Sequence, residues 1–560
     1  MEIKTKQLYT PEGERVLGGE KPYREYPRPI LRRESFISLD GEWELEFCGE
    51  KYNIQVPFCP ESVLSGIGRV LDRSPKYIYR KSFSLPDNFN RGLVILHFGA
   101  VDQICECKVN CKAVGGNIGG YNAFEFDITD ALVDGENTIE LYVEDNLDNA
   151  ILPYGKQTNK RGGMWYTPVS GIWQSVWLES VTENYIRKIE ITTTLDSARI
   201  KLFGCDEGSV TYLDGEAQKT VEFTGGVAII KPEVVKLWTP DEPNLYEFKV
   251  KCGDDEFTSY FALREITTKV IDGVPRICLN GEPIFLNGLL DQGYFPDGIF
   301  TAASDEGYKN DILTAKKLGF NTLRKHIKVE PEVFYYYCDK YGMIVVQDMV
   351  NNGKYSFLRD TALPTVGMKS LPDRGLHKNK KSRDAFVDSM IKTVNQLKNH
   401  PSICMWTIFN EGWGQFSEDE MYHVLRKMDS SRIIDTASGW FRPKRSDVVS
   451  EHIYFKKVRI KCKRRSRPVF LSEFGGYSHK VEGHIFNLDN NYGYGSAATV
   501  EEFEKMLRDL YTEQVIPNIK NGLSGAILTQ ITDVEDETNG LITYDRRVVK
   551  IKEPIPEIKI

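Results

Sequence analysis

The sequence predicts a multidomain β plus α/β protein: a jelly-roll sandwich over residues 1–180, an immunoglobulin-like sandwich over 181–267 and a (β/α)8 TIM barrel over 268–560. Three observations predict it. From Trp43 to about Leu178, apolar residues alternate in short runs such as GEWELEF, LVILHF and NTIELYVED, with turn signals such as Asp134-Gly135-Glu136-Asn137 between them; period-2 alternation marks half-buried strands. A second β-rich stretch, Val181 to Ile266, carries IEITTT, GGVAIIK and YEFKVK and is short enough for an immunoglobulin-like sandwich. After about Thr267 the period changes, and strands that read as fully buried alternate with helical segments.

The barrel strands are expected at 283–288, 320–326, 343–349, 402–410, 432–438, 447–454, 468–474 and 524–531. Helical patterns such as SDEGYKNDILTAKKLG, PEVFYYYCDKYG and SRDAFVDSMIKTVNQLKN lie between several of them. Eight strands joined by crossovers match a barrel, and no Gly-rich phosphate loop follows a strand to favour a nucleotide-binding open sheet.

Length and composition agree. At about 150 residues per domain, the 560 residues make three to four domains. Lys plus Arg number 72 against 80 Asp plus Glu, a net charge of −8, which argues against a general DNA or RNA binder. The 11 cysteines fall far below the roughly 8–10% of a disulfide scaffold and suggest a reducing compartment. The first ten residues, MEIKTKQLYT, hold no apolar leader core, and no apolar run reaches the roughly 18 residues of a membrane span. A cytoplasmic protein fits best; a secreted or periplasmic form recorded without its leader would read the same. The sequence admits a homo-oligomer.

Chemistry in such a barrel sits at the C-terminal strand ends. The fourth strand runs into Asn410-Glu411-Gly412-Trp413 and the seventh into Ser472-Glu473-Phe474-Gly475-Gly476. Two carboxyl groups on one face suit glycoside hydrolysis: a gap of about 5–5.5 Å permits a retaining double displacement and about 6.5–9.5 Å an inverting one. A lone Glu after an apolar strand would simply begin a loop; two, at opposed strand ends, point to catalysis.

These residues resemble glycoside hydrolase family 2, the family of bacterial β-galactosidases, β-glucuronidases and β-mannosidases. The resemblance runs through Tyr26-Pro27-Arg28-Pro29, LDGEWELEF (39–47), WYTPVSGIWQSVWLE (165–179), LWTPDEPNLYEF (237–248), YFALREI (260–266), FNEGWGQF (409–416), LSEFGGY (471–477) and TQITDVEDETNGLITYDRRVVK (529–550). It implies that Glu411 is the acid/base and Glu473 the nucleophile, that Arg324 and Tyr454 line the nucleophile, and that Asn410 meets the sugar 2-hydroxyl. Glu411 would need desolvation, for which Trp413 is placed, and Glu473 would need positive or hydrogen-bonding partners. Asp291 is taken with the substrate-binding group. For His326 and His452, sugar contact and structural hydrogen bonding stay open; so do sugar platform and sandwich core for Trp165 and Tyr166. Cys105, Cys107 and Cys111 read as packed residues and His97 as a satisfied sheet residue. No cofactor and no metal is called for.

Two departures bear on the glycone. The stretch Arg324-Lys325-His326-Ile327-Lys328 differs from the pattern of family galactosidases and glucuronidases, and Asn539-Gly540-Leu541 lacks the Asn-x-Lys pair by which family glucuronidases hold a carboxylate. Basic loops at 374–383 and 456–467 offer a different attraction for an acidic glycan, or are solvated faces. The expected function is a retaining exo-β-glycosidase acting on terminal galacto-configured β-glycosides; a β-hexuronidase acting on galacturonides or glucuronides is the alternative, and a catalytically silent carbohydrate-binding protein is the reading from another class.

Overall fold

The computed structural model describes residues 5–71, 76–363, 377–454, 456–460, 466–558 and 560. In the first domain a four-stranded sheet (Phe36–Ser38, Val176–Val181, Leu93–Phe98, Phe124–Asp127 in hydrogen-bonded order) accompanies a six-stranded one built around Gly41–Phe47, Tyr77–Ser84 and Glu136–Glu144. Alternate residues point inward, so Trp43, Leu45, Tyr77, Tyr79, Leu96, Leu141 and Leu178 form one core. Cys105 and Cys107 lie in it, where burial pushes both thiols up, while Cys111 is exposed. His97 stacks on Trp177 at 4.8 Å, with its Nδ1 3.1 Å from Glu125.

The second domain has seven antiparallel strands between Lys188 and Phe261. Lettered A to G along the chain, they are ordered A-B-E-D-C-F-G, the immunoglobulin arrangement of ABED and CFG with the C–D hairpin joining the halves. Cys205 and Cys252 form a disulfide there, a pairing the cysteine count does not predict.

The barrel strands are β1 Leu286–Asp291, β2 Thr322–Lys325, β3 Ile344–Asp348, β4 Ile403–Asn410, β5 Ile433–Ser438, β6 Val449–Ile453, β7 Val469–Gly475 and β8 Leu523–Thr529. All the described ladders among them are parallel, in the order 5-4-3-2-1-8-7-6. Helices α1 Asp305–Lys317, α2 Glu332–Tyr341, α3 Lys380–Leu397 and α4 Glu418–Met428 follow β1 to β4, and α5 Val500–Leu510 precedes β8. Strand β1 begins three residues later than the sequence suggests. The apolar run 283–290 serves two elements, because Glu282–Pro283 closes a small antiparallel sheet with Ile266–Ile271 and Val274–Leu279 under the barrel.

The seam between β5 and β6 is built differently. No backbone ladder joins these strands among the described residues. One backbone bond, Asp447 N–H to Ile434 O at 2.9 Å, sits at its base. Above it, side chains bridge the gap: Ser450 Oγ donates to Asp435, and Ser438 Oγ lies 3.1 Å from His452 Nε2. No helix among the described residues is long and apolar enough to cross a membrane.

Candidate active site

Glu473 is aimed by an irregularity in its strand. Between Leu471 and Phe474 the register of β7 slips against β8, so Ser472 and Glu473 together face one residue of the partner; such a bulge redirects side chains. Glu473 is 5% exposed. Its Oε1 accepts from Arg324 Nη1 at 3.0 Å and its Oε2 from Tyr454 OH at 2.5 Å, with His452 Nδ1 3.5 Å away. Burial alone would raise this carboxyl, but His452, Arg324, His326 and the Tyr454 hydroxyl outweigh it and hold the group down at about 2.

Arg324 is fully buried at the end of β2 and distributes its guanidinium over the centre. Nε reaches Asp348 Oδ1 at 3.0 Å, Nη1 reaches Ser472 O at 3.0 Å, and Nη2 reaches Asn410 Oδ1 at 2.8 Å. The Asn410 side-chain oxygen is thereby occupied, and its amide nitrogen has no hydrogen bond among the described residues, which leaves a donor. Asp348 also holds His326 through Nδ1 at 2.8 Å, and burial keeps that imidazole below its usual range.

Glu411 stands just past β4 with φ 54, followed by Gly412 with φ 76. The left-handed region is unusual for a residue with a side chain and turns Glu411 back over the barrel. Glycine is required next, since a Cβ there would lie 2.2 Å from the Phe441 ring. Glu411 Oε1 is 2.8 Å from His452 Nδ1, and a carboxylate oxygen of Glu411 lies within 4.8 Å of one of Glu473. His452 therefore sits between the two carboxyl groups, with its other nitrogen on Ser438.

Other expected site residues are placed as follows. Trp413 donates Nε1–H to Gly353 O at 2.9 Å and packs edge-on against Trp165 at 5.1 Å, so its ring belongs to an aromatic wall with Tyr355 and Tyr154. Trp165 is half-buried in that wall, reaching the barrel from the first domain. Asp291 is not brought to the carboxyl pair: its Oδ2 takes Lys325 Nζ at 2.6 Å and its Oδ1 the Gly293 N–H at 2.9 Å, a buried ion pair. Tyr454 stacks on Tyr494 at 3.7 Å.

The basic loops are described only in part. After β6, Val458 N–H donates to Gln514 and Ile460 N–H to Asn518, so this stretch runs along the helical segment leading into β8, with Val458 and Ile460 buried. The alternation of basic and apolar residues is that of an edge laid on the barrel wall. Lys461, Lys463, Arg464, Arg465 and Arg374 lie outside the described residues; Lys380 pairs with Asp384 at 2.6 Å.

Sequence reasoning passed over Asp348, although it ends a buried apolar strand as the two glutamates do. It also passed over Glu537, which follows β8. Glu537 Oε1 accepts from Tyr166 OH at 2.9 Å and Oε2 from Gln530 Nε2 at 2.7 Å; burial, opposed by Lys156, Tyr166 and Asn539, pushes it up to about 7. Glu411, His452 and Glu473 could together offer ligands to a cation. Glu473 already accepts from Arg324 and Tyr454, so a cation there would compete with a guanidinium.

A parallel barrel with paired glutamates at the ends of β4 and β7 and a sandwich loop at its mouth defines the glycoside hydrolase class. The chain belongs to glycosyl hydrolases family 2: its sugar binding domain matches residues 29–181 and its TIM barrel domain residues 271–547. Among relatives, a β-galactosidase of Vibrio vulnificus is 24% identical over 582 residues, covering 91% of this chain and 51% of the relative. A putative β-glucuronidase of Formosa agariphila is 26% identical over 358 residues, covering 60% and 39%. The chain thus spans about half or less of the length of these relatives. Among solved structures, a β-D-glucuronidase of Dictyoglomus thermophilum superposes with a TM-score of 0.72 at 19% identity, covering 93% of this chain and 96% of the other. A β-galacturonidase of Eisenbergiella tayi bound to galacturonate gives 0.67 at 19%, covering 94% and 97%.

Proposed function

We propose that the protein is a retaining exo-β-glycosidase that hydrolyses terminal galacto-configured β-glycosides by double displacement. The observation that carries this reading is the approach of the Glu411 and Glu473 carboxylate oxygens to within 4.8 Å, nearer to the ~5–5.5 Å of retaining pairs than to the ~6.5–9.5 Å of inverting ones. Glu473 attacks the anomeric carbon while Glu411 gives its proton to the departing oxygen, leaving a glycosyl ester on Glu473. Glu411 then takes a proton from water, whose oxygen attacks the same carbon and releases Glu473. The partners of Glu473 suit its role, since Arg324 and Tyr454 keep it ionised and fix both oxygens. The Asn410 amide offers a donor for the sugar 2-hydroxyl. The names of the relatives divide between galactosidases and uronidases, and so support the β-glycoside more strongly than any one glycone.

Azide rescue tests the roles. Glu411→Ala should lower kcat/KM for an unactivated glycoside by ~10²–10⁴, and with an activated aryl glycoside plus azide should yield a glycosyl azide of retained configuration. Glu473→Ala should be inactive without azide and yield the inverted azide with it. Near wild-type turnover by either variant on an ordinary glycoside would remove its assigned role.

A further inference from the structure

We infer that Lys156, contributed by the first domain, selects the glycone by receiving the C6 carboxylate of a β-hexuronide; this rests on the β-glycosidase reading and extends it to a substrate class.

The loop carrying Lys156 is fixed to the barrel on one side of that residue and to its own domain on the other. The N–H groups of Tyr154 and Gly155 donate to Asn351 O, just past β3, at 3.1 and 3.2 Å. Gly155, at φ +64, lies so close to the segment after β2 that a Cβ would be 2.9 Å from Ile327 O. On the other side, the buried Gln157 gives Nε2–H to Asp102 at 2.8 Å and accepts Val169 N–H at 2.8 Å. Lys156 is therefore held between the ends of β2 and β3 at the mouth.

Its ammonium lies 5.6 Å from the centre of the Trp165 ring, within the aromatic wall that includes Trp413. Among the described residues it has neither a hydrogen bond nor a carboxylate at ion-pair distance. The neighbouring cations are committed: Arg324 to Asp348 and Glu473, Lys325 to Asp291 and Glu330, Lys328 to Glu330, and Lys550 to Asp533. Lys156 nonetheless stands close enough to oppose the rise of Glu537 and to add to the lowering of His326.

Charge balance then indicates the ligand. A uronide brings an anion into a pocket whose nucleophile is ionised, and a second buried anion is costly without a counter-ion. A neutral hexoside has no use for one. The ring of Trp165 holds the ammonium in place by its π face until a carboxylate arrives.

The test uses the full chain with 4-nitrophenyl β-D-galacturonide and β-D-galactoside, and titration calorimetry with free galacturonate. In Lys156→Met, the ratio of kcat/KM for galacturonide over galactoside should fall by ~10–100-fold, the range of a hydrogen bond to a charged group, mainly through KM. Galacturonate affinity should fall alongside it, and Lys156→Arg should restore most of both. An unchanged ratio, an equal loss on both substrates, or a wild-type chain that turns over galactoside but binds no galacturonate would overturn the assignment. If no aryl glycoside is hydrolysed, the β-glycosidase reading fails, and the galacturonate titration of wild type against Lys156→Met still decides the carboxylate site.

Discussion

At Glu473 the cost of burying a charge is offset within a few ångströms, and this has a sign that can be checked by pH. The folded chain holds the carboxyl at about 2, below its ordinary 4.5. A depressed carboxyl contributes stability that is fully present above the ordinary value and is lost as pH falls toward the folded one. Between pH 4.5 and 2, urea midpoints of the wild type should therefore fall more steeply than those of Glu473→Gln, which has no charge to neutralise. Parallel slopes would show that His452, Arg324 and Tyr454 do not hold the anion as described. The same partners explain why Glu473 was legible in the sequence only as a candidate: Arg324 and Tyr454 arrive from other strands, and what fixes their distances is barrel closure.

The loop from Tyr154 to Thr167 shows how an element can join two domains at a reacting centre. It walls the mouth with Trp165, gives Tyr166 OH to Glu537 and Thr167 N–H to Glu535, and brings Lys156 between two strand ends. Gly155→Ala should cost about 1–3 kcal/mol from the left-handed backbone alone, with the contact to Ile327 O added. Its thermal midpoint should fall and its KM for a uronide rise; a midpoint equal to wild type would mean the loop is not wedged there. Of the barrel, nearly all was legible, because buried parallel strands read as short apolar runs between turn signals. The start of β1 was not, since one apolar run feeds two elements. Lys156 was not either: nothing local distinguishes it from a surface lysine, and only the contacts of Gly155 and Gln157 with distant segments set its position. Asp291, taken from the sequence with the substrate-binding group, is paired in the structure with Lys325, beside the expected arginine.

At the scale of the whole molecule, the amino-terminal segment and both sandwiches meet on one buried arginine. Arg33 gives Nε–H to Asp255 at 3.0 Å, Nη1–H to Glu179 at 3.2 Å and Nη2–H to Ile186 O at 2.7 Å. Arg33→Ala leaves the buried Asp255 without its cation, while Glu179 keeps Arg28 at 2.9 Å, and should cost about 3–5 kcal/mol, read as a lowered denaturation midpoint; a loss under 1 kcal/mol, the range of an exposed pair, would show that solvent reaches this junction. The seam between β5 and β6 has another consequence. A strand laddered on both sides is stiff, whereas these two are laddered on one side each, so thermal breathing of the ring concentrates between them. His452 projects from β6 and touches Glu411, and the Glu411 N–H rests on Ser438 O of β5 at 3.0 Å. Glu411 therefore hangs on the yielding part of the ring and Glu473 on the laddered part, a division that, under the proposed double displacement, would let the first carboxyl follow a changing leaving group while the second stays where the sugar must meet it.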